Sequence, residues 1–515
     1  MRITFLGHAG CLVETDHGSV LCDPWFTPAY FGSWFPFPRN DRLAVDRLPA
    51  PDYLYISHLH RDHFDPQWLA RHVATQTRVL LPEFGIDLLG RELAKLGFHD
   101  LVETEHAEPV DLDGLTVTIL AMTSPADGPL GDSAIIIDDG TTRLLNQNDA
   151  RPGDLDALRA LGPFDAQLLQ FSGAIWFPVA YDFPAEEKER LARAKRVNEM
   201  ARSQQYIEAV GATYVFPSAG PPCFLDRDLF ALNDLERDPA NIFPDQTVFL
   251  ELLAEHGIDR ARLLLPGSVA ELQSGTCVVT PPDAAAPGAA ADPFTDKREY
   301  LEQYRKDWAE WLEREHASWP RPGHDLVAEL AEWFEPLLEN APITSAGIAG
   351  NVVLDFGDSG PGVCIDFVES QVRPWHSEPY VYKVDVDRAL VESLVDDHVE
   401  DWVNSLFLSC RFTAHREGPF NEFVMTFFKG LSPERMAYIE HCHGNARLRT
   451  DEFFERDGWS IERWCPHRQA DLSRFGEITD GVLTCSLHHW RFDLDSGRCL
   501  TSEDRHLRCE RVTPE

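Results

Sequence analysis

Along the first 25 residues apolar and polar side chains alternate with a period of two. The runs at 2–6, 11–14 and 19–22 are separated by turn residues at 7–10 and 16–18, which predicts a hairpin-rich sheet. From about Asp52 the pattern changes to strand-then-helix units. The apolar run 53–56 leads into a His-rich loop, followed by helical spacing over 68–73 and a further apolar run at 79–81. Strands are predicted again at 115–121, 133–137 and 143–145, and an amphipathic helix with mixed charges on its polar face at 185–209. Periodicity then fails at 280–293, TPPDAAAPGAAADP, which has the composition of a linker.

Beyond that stretch the spacing predicts helices at 297–315, 325–340 and 386–405, and strands at 352–356, 363–367 and 380–384. Near residue 440 the chain becomes short-patterned and rich in Cys and His. The expected organisation is a first domain over 1–275, a Pro/Ala-rich linker over 276–295, an α+β middle domain of unknown role over 296–440, and a small last domain over 441–515.

Composition narrows the partners. The 515 residues, 43% of them hydrophobic, are ample for several packed cores. A formal net charge of -39 argues against nucleic acid and against an anionic membrane, because the summed field repels both. No basic stretch with an apolar run opens the chain, and no segment reaches the ~18 uncharged apolar residues of a membrane span, so a cytoplasmic location is expected. The odd count of 11 Cys, most of them single between apolar neighbours, reads as buried free thiols rather than a disulfide framework.

Two constellations carry chemistry. In the first, the six residues from His58 to His63 hold three imidazoles and a carboxylate, His58, His60, Asp62 and His63. Such density on one loop suits metal: His58 and His60 can face one ion while Asp62 and His63 face its neighbour. In the second, Cys465-Pro466-His467 is followed by Cys485-Ser486-Leu487-His488. Two Cys and two His suit either a single zinc or an iron-sulfur cluster.

The first loop resembles the signature of the metallo-β-lactamase superfamily, and His8, Asp23 and Asp149 stand where that superfamily places residues. The resemblance implies that Asp149 bridges two metals and that Asp62 can also act as a proton donor or base. The stretch 124–128 stands where hydrolytic members place a further His, Asp127 there being either the replacement ligand or an acidic turn residue, and the stretch 217–221 stands at the site of another. An oxygen-rich, incomplete His set favours iron, mononuclear or dinuclear, over zinc.

The second constellation, with Arg468 and the HWRFD run from His489, resembles the Rieske family. By that likeness Cys465 and Cys485 hold one iron of a 2Fe-2S cluster and His467 and His488 the other. The two together resemble the CMP-N-acetylneuraminate hydroxylase family, although the order of domains differs. The implied fold is α/β, an αββα metallo-β-lactamase sandwich, with an α+β middle domain and a small all-β Rieske domain.

The implied activity is that of a Rieske-coupled monooxygenase acting on a small-molecule substrate with O2, fed by a ferredoxin or flavoprotein reductase. The alternative is a redox-regulated metal-dependent hydrolase with zinc in the first site. A homo-oligomer in which the linker-borne Rieske domain serves a neighbouring subunit is compatible with the sequence. Arg151, Arg193, Arg196 and Arg202 are candidates for an anionic group or for a solvated helix face, and Trp176 and Tyr181 for pocket or core. Glu392, Asp396 and His398 read as an exposed helix face.

Overall fold

The computed structural model describes residues 1–512 apart from 124, 174, 235–238, 274, 283–291, 321–322, 446–450 and 503–504. Two sheets face each other in the N-terminal region. The eight-stranded sheet runs Thr276–Thr280, Val269–Gln273, Arg2–Gly7, Gly10–Thr15, Gly18–Cys22, Tyr53–Tyr55, Arg78–Leu81, Leu101–Glu103. The six-stranded sheet runs Tyr214–Ser218, Ala166–Gln170, Arg143–Asn148, Asp132–Asp138, Leu115–Met122, Pro109–Leu112. Alternation along these strands sends Ile3, Phe5, Val13 and Val20 from one sheet and Val117, Ile135, Leu144 and Leu168 from the other into a shared buried core.

Helices cover both outer faces and complete the αββα sandwich. Trp68 and Leu69 of the helix Pro66–His72 and Leu89 and Leu93 of Leu88–Lys95 pack on the first sheet. The long helix Ala185–Val210 lays Met200, Tyr206 and Ile207 against the second.

The segment expected to be linker from 276 opens instead with the strand Thr276–Thr280, paired antiparallel to Val269–Gln273. Its residues 283–291 lie outside the described residues. The helices Lys297–Asp307 and Ala309–Ser318 also differ from expectation, packing not with the middle domain but on Phe35, Phe37 and Leu225 of the first through Tyr300, Tyr304 and Leu312. The boundary expected at 440 falls inside the helix Pro433–Asn445.

The middle region is a five-stranded sheet in the order Gln371–Pro374, Val363–Asp366, Asn351–Asp355, Tyr382–Val386, Phe412–Arg416. The helix expected over 386–405 stops at Asp396 and resumes as a π-turn, Val403–Phe407. Glu392 is not on an exposed face. It is wholly buried and paired with Arg388 at 2.8 Å, while Asp396 meets His324 at 3.2 Å and His398 stacks on Trp333.

The C-terminal region consists of two three-stranded sheets, Phe453–Arg456 with Trp459–Glu462 and Cys509–Arg511, and Gly476–Thr479 with Val482–Cys485 and Arg491–Asp493. Its apolar residues Trp459, Ile461, Leu483 and Phe492 belong to the same core as Met200, Tyr206 and Phe249 of the N-terminal region. Among the described residues no helix is long and apolar enough to cross a membrane.

Candidate metal centres

Strand ends position the first site. His8 sits in the turn between Arg2–Gly7 and Gly10–Thr15, Asp23 follows Gly18–Cys22, the His-rich loop follows Tyr53–Tyr55, and Asp149 follows Arg143–Asn148. His8, Asp23 and Asn148 have φ of 54°, 40° and 41°, a left-handed backbone that side chains with a Cβ adopt only when their surroundings enforce it. The stretch 217–221, where a further His would stand in hydrolases, contributes the Ala219 N–H, which donates to the His8 carbonyl at 2.8 Å.

The ligating atoms gather in two groups, His8 with Asp62 and His63, and His58 with His60 and Asp149, each within 4.8 Å. His63 Nε2 stands 3.5 Å from Asp149 Oδ2 and so joins them. His8, which matched the superfamily pattern but was not placed among the candidate ligands, completes the first group. Asp132 was not foreseen; its carboxylate lies 3.3 Å from His58 Nδ1, and nothing in the sequence around Gly131 to Ser133 distinguishes it. Asp127 falls in the 3-10 turn Pro125–Leu130, and its side chain lies outside the described residues.

Supporting contacts fix which ring nitrogens face inward. Asp23 accepts from the Ser57 N–H and hydroxyl, both at 2.7 Å, and sits 3.0 Å from His63 Nδ1. Ser57 Oγ is 2.9 Å from His58 Nδ1. This leaves Nε2 of His58 and of His63 buried with no hydrogen-bond partner, as is Asp149 Oδ1. Buried polar atoms are normally satisfied, so these three orphans, shared between the two groups, fit bound cations.

The electrostatics agree. Burial, with His60 and His63 beside it, holds His58 well below its ordinary range, and burial also lowers His60. Burial alone would raise Asp62 and Asp149, yet His63 and His8 outweigh it and hold both carboxylates below their usual range. His58 and His60 are thus neutral and the carboxylates ionised, as metal binding requires, whereas Asp149, Asp23 and Asp62 outweigh burial and raise His63 well above its ordinary range, so a metal would have to displace its proton. Tyr30 donates to Asp62 Oδ1 at 2.6 Å and accepts from the Arg61 N–H at 3.1 Å.

At the second site, tight turns deliver the ligands. Gln469 N–H donates to the Cys465 carbonyl at 2.9 Å and His489 N–H to the Cys485 carbonyl at 2.7 Å, which curls each loop around its buried sulfur. The rings of His467 and His488 stand 5.2 Å apart at 90°, and Nδ1 of each is buried without a hydrogen-bond partner. Two adjacent buried thiols and two orphaned Nδ1 atoms fit a 2Fe-2S group held by Cys465, Cys485, His467 and His488. Burial, with the positive Arg468 nearby, keeps both imidazoles well below their ordinary range and so neutral.

His467 stacks on Trp490 at 3.9 Å, and its Nε2 lies 3.6 Å from Glu422 of the middle region, a contact the sequence did not signal. A cavity of about 650 Å³ lies between the two centres, lined by His60, Asp62 and Asp149 of the first, His488 and Arg468 of the second, and Val403, Asn404, Leu408 and Lys429 of the middle region.

The Arg candidates divide. Arg151 lines this cavity, Arg193 pairs with Glu189 at 2.8 Å on an exposed face, and Arg196 donates to the carbonyls of Pro239 and Asn241. Arg202 is not solvated but buried, pairing with Glu199 and donating to the Leu487 carbonyl at 3.3 Å. Trp176 lines the cavity, whereas Tyr181 is core and hydrogen bonded to Tyr382 at 3.0 Å.

Residues 2–117 match the β-lactamase superfamily domain, 326–445 the Rv3818-like, SCP2-like domain, and 446–509 the Rieske 2Fe-2S domain. A cytidine monophosphate-N-acetylneuraminic acid hydroxylase from Cricetulus griseus is 24% identical over 43% of this chain and 40% of its own. Among solved structures, CmlA, a diiron β-hydroxylase from Streptomyces venezuelae, covers 53% of this chain and 54% of its own at 19% identity and a TM-score of 0.35, too low for any chemistry to follow.

A protein of Mycolicibacterium smegmatis named as a Rieske 2Fe-2S iron-sulfur protein is 45% identical over 99% of this chain and 100% of its own, and one of Mycobacterium tuberculosis named Rv3818 shares the same identity and coverage. With two such full-length likenesses, the chain belongs to this family of Rieske 2Fe-2S iron-sulfur proteins, with a metallo-β-lactamase-like domain.

Proposed function

We propose that the chain is an iron-dependent oxygenase that hydroxylates a small polar metabolite at carbon or nitrogen, using O2 and electrons that enter through the Rieske cluster from a ferredoxin or flavoprotein reductase. The observation that carries this reading is the shared cavity, which has His60, Asp62 and Asp149 on one wall and His488 on another within a single chain. A Rieske cluster moves single electrons and makes no bonds, so its consumer has to lie within reach. The hydroxylase named among the relatives points the same way.

His8, His58, His60, Asp62, His63 and Asp149 would hold the iron, which when bound supplies O2 activation. The protein supplies the rest. Asp23 and Ser57 orient the imidazoles, and the apolar lining of Trp34, Ile175, Trp176 and Leu408 excludes water from the reacting centre. Asp62, whose Oδ1 accepts from the Tyr30 hydroxyl, would be the group that takes or returns a proton.

Metal and sulfide analysis of anaerobically purified protein, with EPR after dithionite reduction, tests the reading. About two irons with a Rieske signal, plus further iron that disappears in His58→Ala, is the expected result. Zinc in the first site beside an intact Rieske signal would overturn it and bring the redox-regulated hydrolase forward.

A further inference from the structure

The cavity has a cationic end that the proposed metal chemistry leaves unused. Arg151 lines it and donates to Gln170 Oε1 at 3.1 Å, and Gln170 lines the same space. Among the described residues the carboxylate paired with Arg151 is Glu199, at 3.7 Å. That carboxylate is already shared with Lys195 at 3.4 Å and with the buried Arg202.

Three cations around one carboxylate leave an excess of positive charge on this wall, with Arg202 buried and Arg151 partly open to the cavity, and such charge favours an anion beside it. The acidic residues that line the cavity have other tasks. Asp62 and Asp149 belong to the metal groups, Asp132 faces His58, and Asp154 caps the helix Leu155–Ala160 by accepting from the Asp156 and Ala157 N–H groups. The lining also includes the cations Arg468 and Lys429, each with partners elsewhere, and the apolar Ile175, Trp176 and Leu408.

Resting on the reading of this cavity as the substrate site, we propose that Arg151 is its anion-binding pole and that the substrate is an amphipathic anion, with a carboxylate or phosphate on Arg151 and an apolar body against Ile175, Trp176 and Leu408. A chain with a formal charge of -39 repels anions in general, so a local cationic pole is what admits one to this interior. Arg suits the task because its planar fork matches both oxyanions.

Calorimetric titration of the iron-loaded protein with 4-phenylbutyrate, phenyl phosphate and the neutral 4-phenylbutanol decides the matter. Wild type is expected to bind at least one anion tenfold or more tighter than the alcohol, and whichever anion wins identifies the group. Arg151→Gln should abolish that preference with the alcohol's affinity unchanged, and Arg151→Lys should keep part of it. Equal binding of anion and alcohol by wild type, binding of none of the three, or a preference that survives in Arg151→Gln would overturn the proposal. If Arg151→Gln does not fold, the wild-type comparison and Arg151→Lys still decide. Iron content and the Rieske EPR signal of the same samples separate this failure from failure of the oxygenase reading, which would appear as zinc in place of iron.

Discussion

The two metal centres are built in opposite ways. At the Rieske site all four candidate ligands come from two short loops, Cys465 to His467 and Cys485 to His488, so local chain geometry brings them together. The site around His58 draws on four strand ends spread from His8 to Asp149 and exists only once both sheets are packed. A centre of the first kind depends on its own loops. One of the second kind depends on the whole sandwich and on residues such as Asp23 and Ser57 that touch no candidate ion.

The strongest way to break this contrast is to remove one ligand from each centre. Cys465→Ala should eliminate the Rieske EPR signal while iron at the first site stays, and His58→Ala should do the reverse; loss of both kinds of iron in either variant would show the centres to be interdependent. Removing the buried partner of Arg388 by Glu392→Ala should cost about 3–5 kcal/mol in chemical denaturation, because the guanidinium is left uncompensated. Metal content at both centres should not change, since this pair touches neither.

A gentler probe is Asp23→Asn, which keeps shape but weakens the hold on His63 Nδ1. About 10–100-fold weaker iron binding at the first site is expected, with the Rieske signal intact. The smallest effect belongs to Asp471, which caps the helix Leu472–Phe475 and accepts from Arg463. Burial would raise its pKa, but the Arg463 and Ser473 contacts prevail and hold it below the ordinary carboxylate range. A depressed folded-state pKa gives stability that is fully present above about pH 4 and lost as pH falls further. Asp471→Asn, which keeps the cap but removes the charge paired with Arg463, should therefore cost about 0.5–1 kcal/mol at pH 7, and the difference from wild type should narrow towards pH 3 in thermal melts.

How much of this was legible follows from the same contrast. The candidate ligands from Cys465 to His488 and the loop from His58 to His63 stand out in the sequence because they lie close together, and the resemblance to the Rieske family then favoured a 2Fe-2S cluster over zinc for the former. Asp132 and Glu422 do not, since each is an ordinary acidic residue until folding sets it beside His58 or His467. Glu392 misled because its near-helical spacing with Asp396 and His398 is that of an exposed face, and only its pairing with Arg388 and the packing of residues 323–324 over its carboxylate make it interior. The strand Thr276–Thr280 was lost to the Pro/Ala-rich run that follows, being five residues long and exposed on alternate positions. The α/β organisation was legible in the two-residue alternation and the strand-helix units, while its form as an αββα sandwich came from the resemblance to the metallo-β-lactamase superfamily.

The core that joins the helix Ala185–Val210 to Trp459, Leu483 and Phe492 also has a consequence for synthesis. A ribosome releases the second sheet and its helices some two hundred residues before the strands that cover them, roughly 10–40 s at about 5–20 residues per second. For that interval the nascent chain carries an uncovered apolar face, so its birth calls for a chaperone or a slow, protected hand-over, and a chain cut short before residue 459 should aggregate rather than survive as a free-standing hydrolase-like domain.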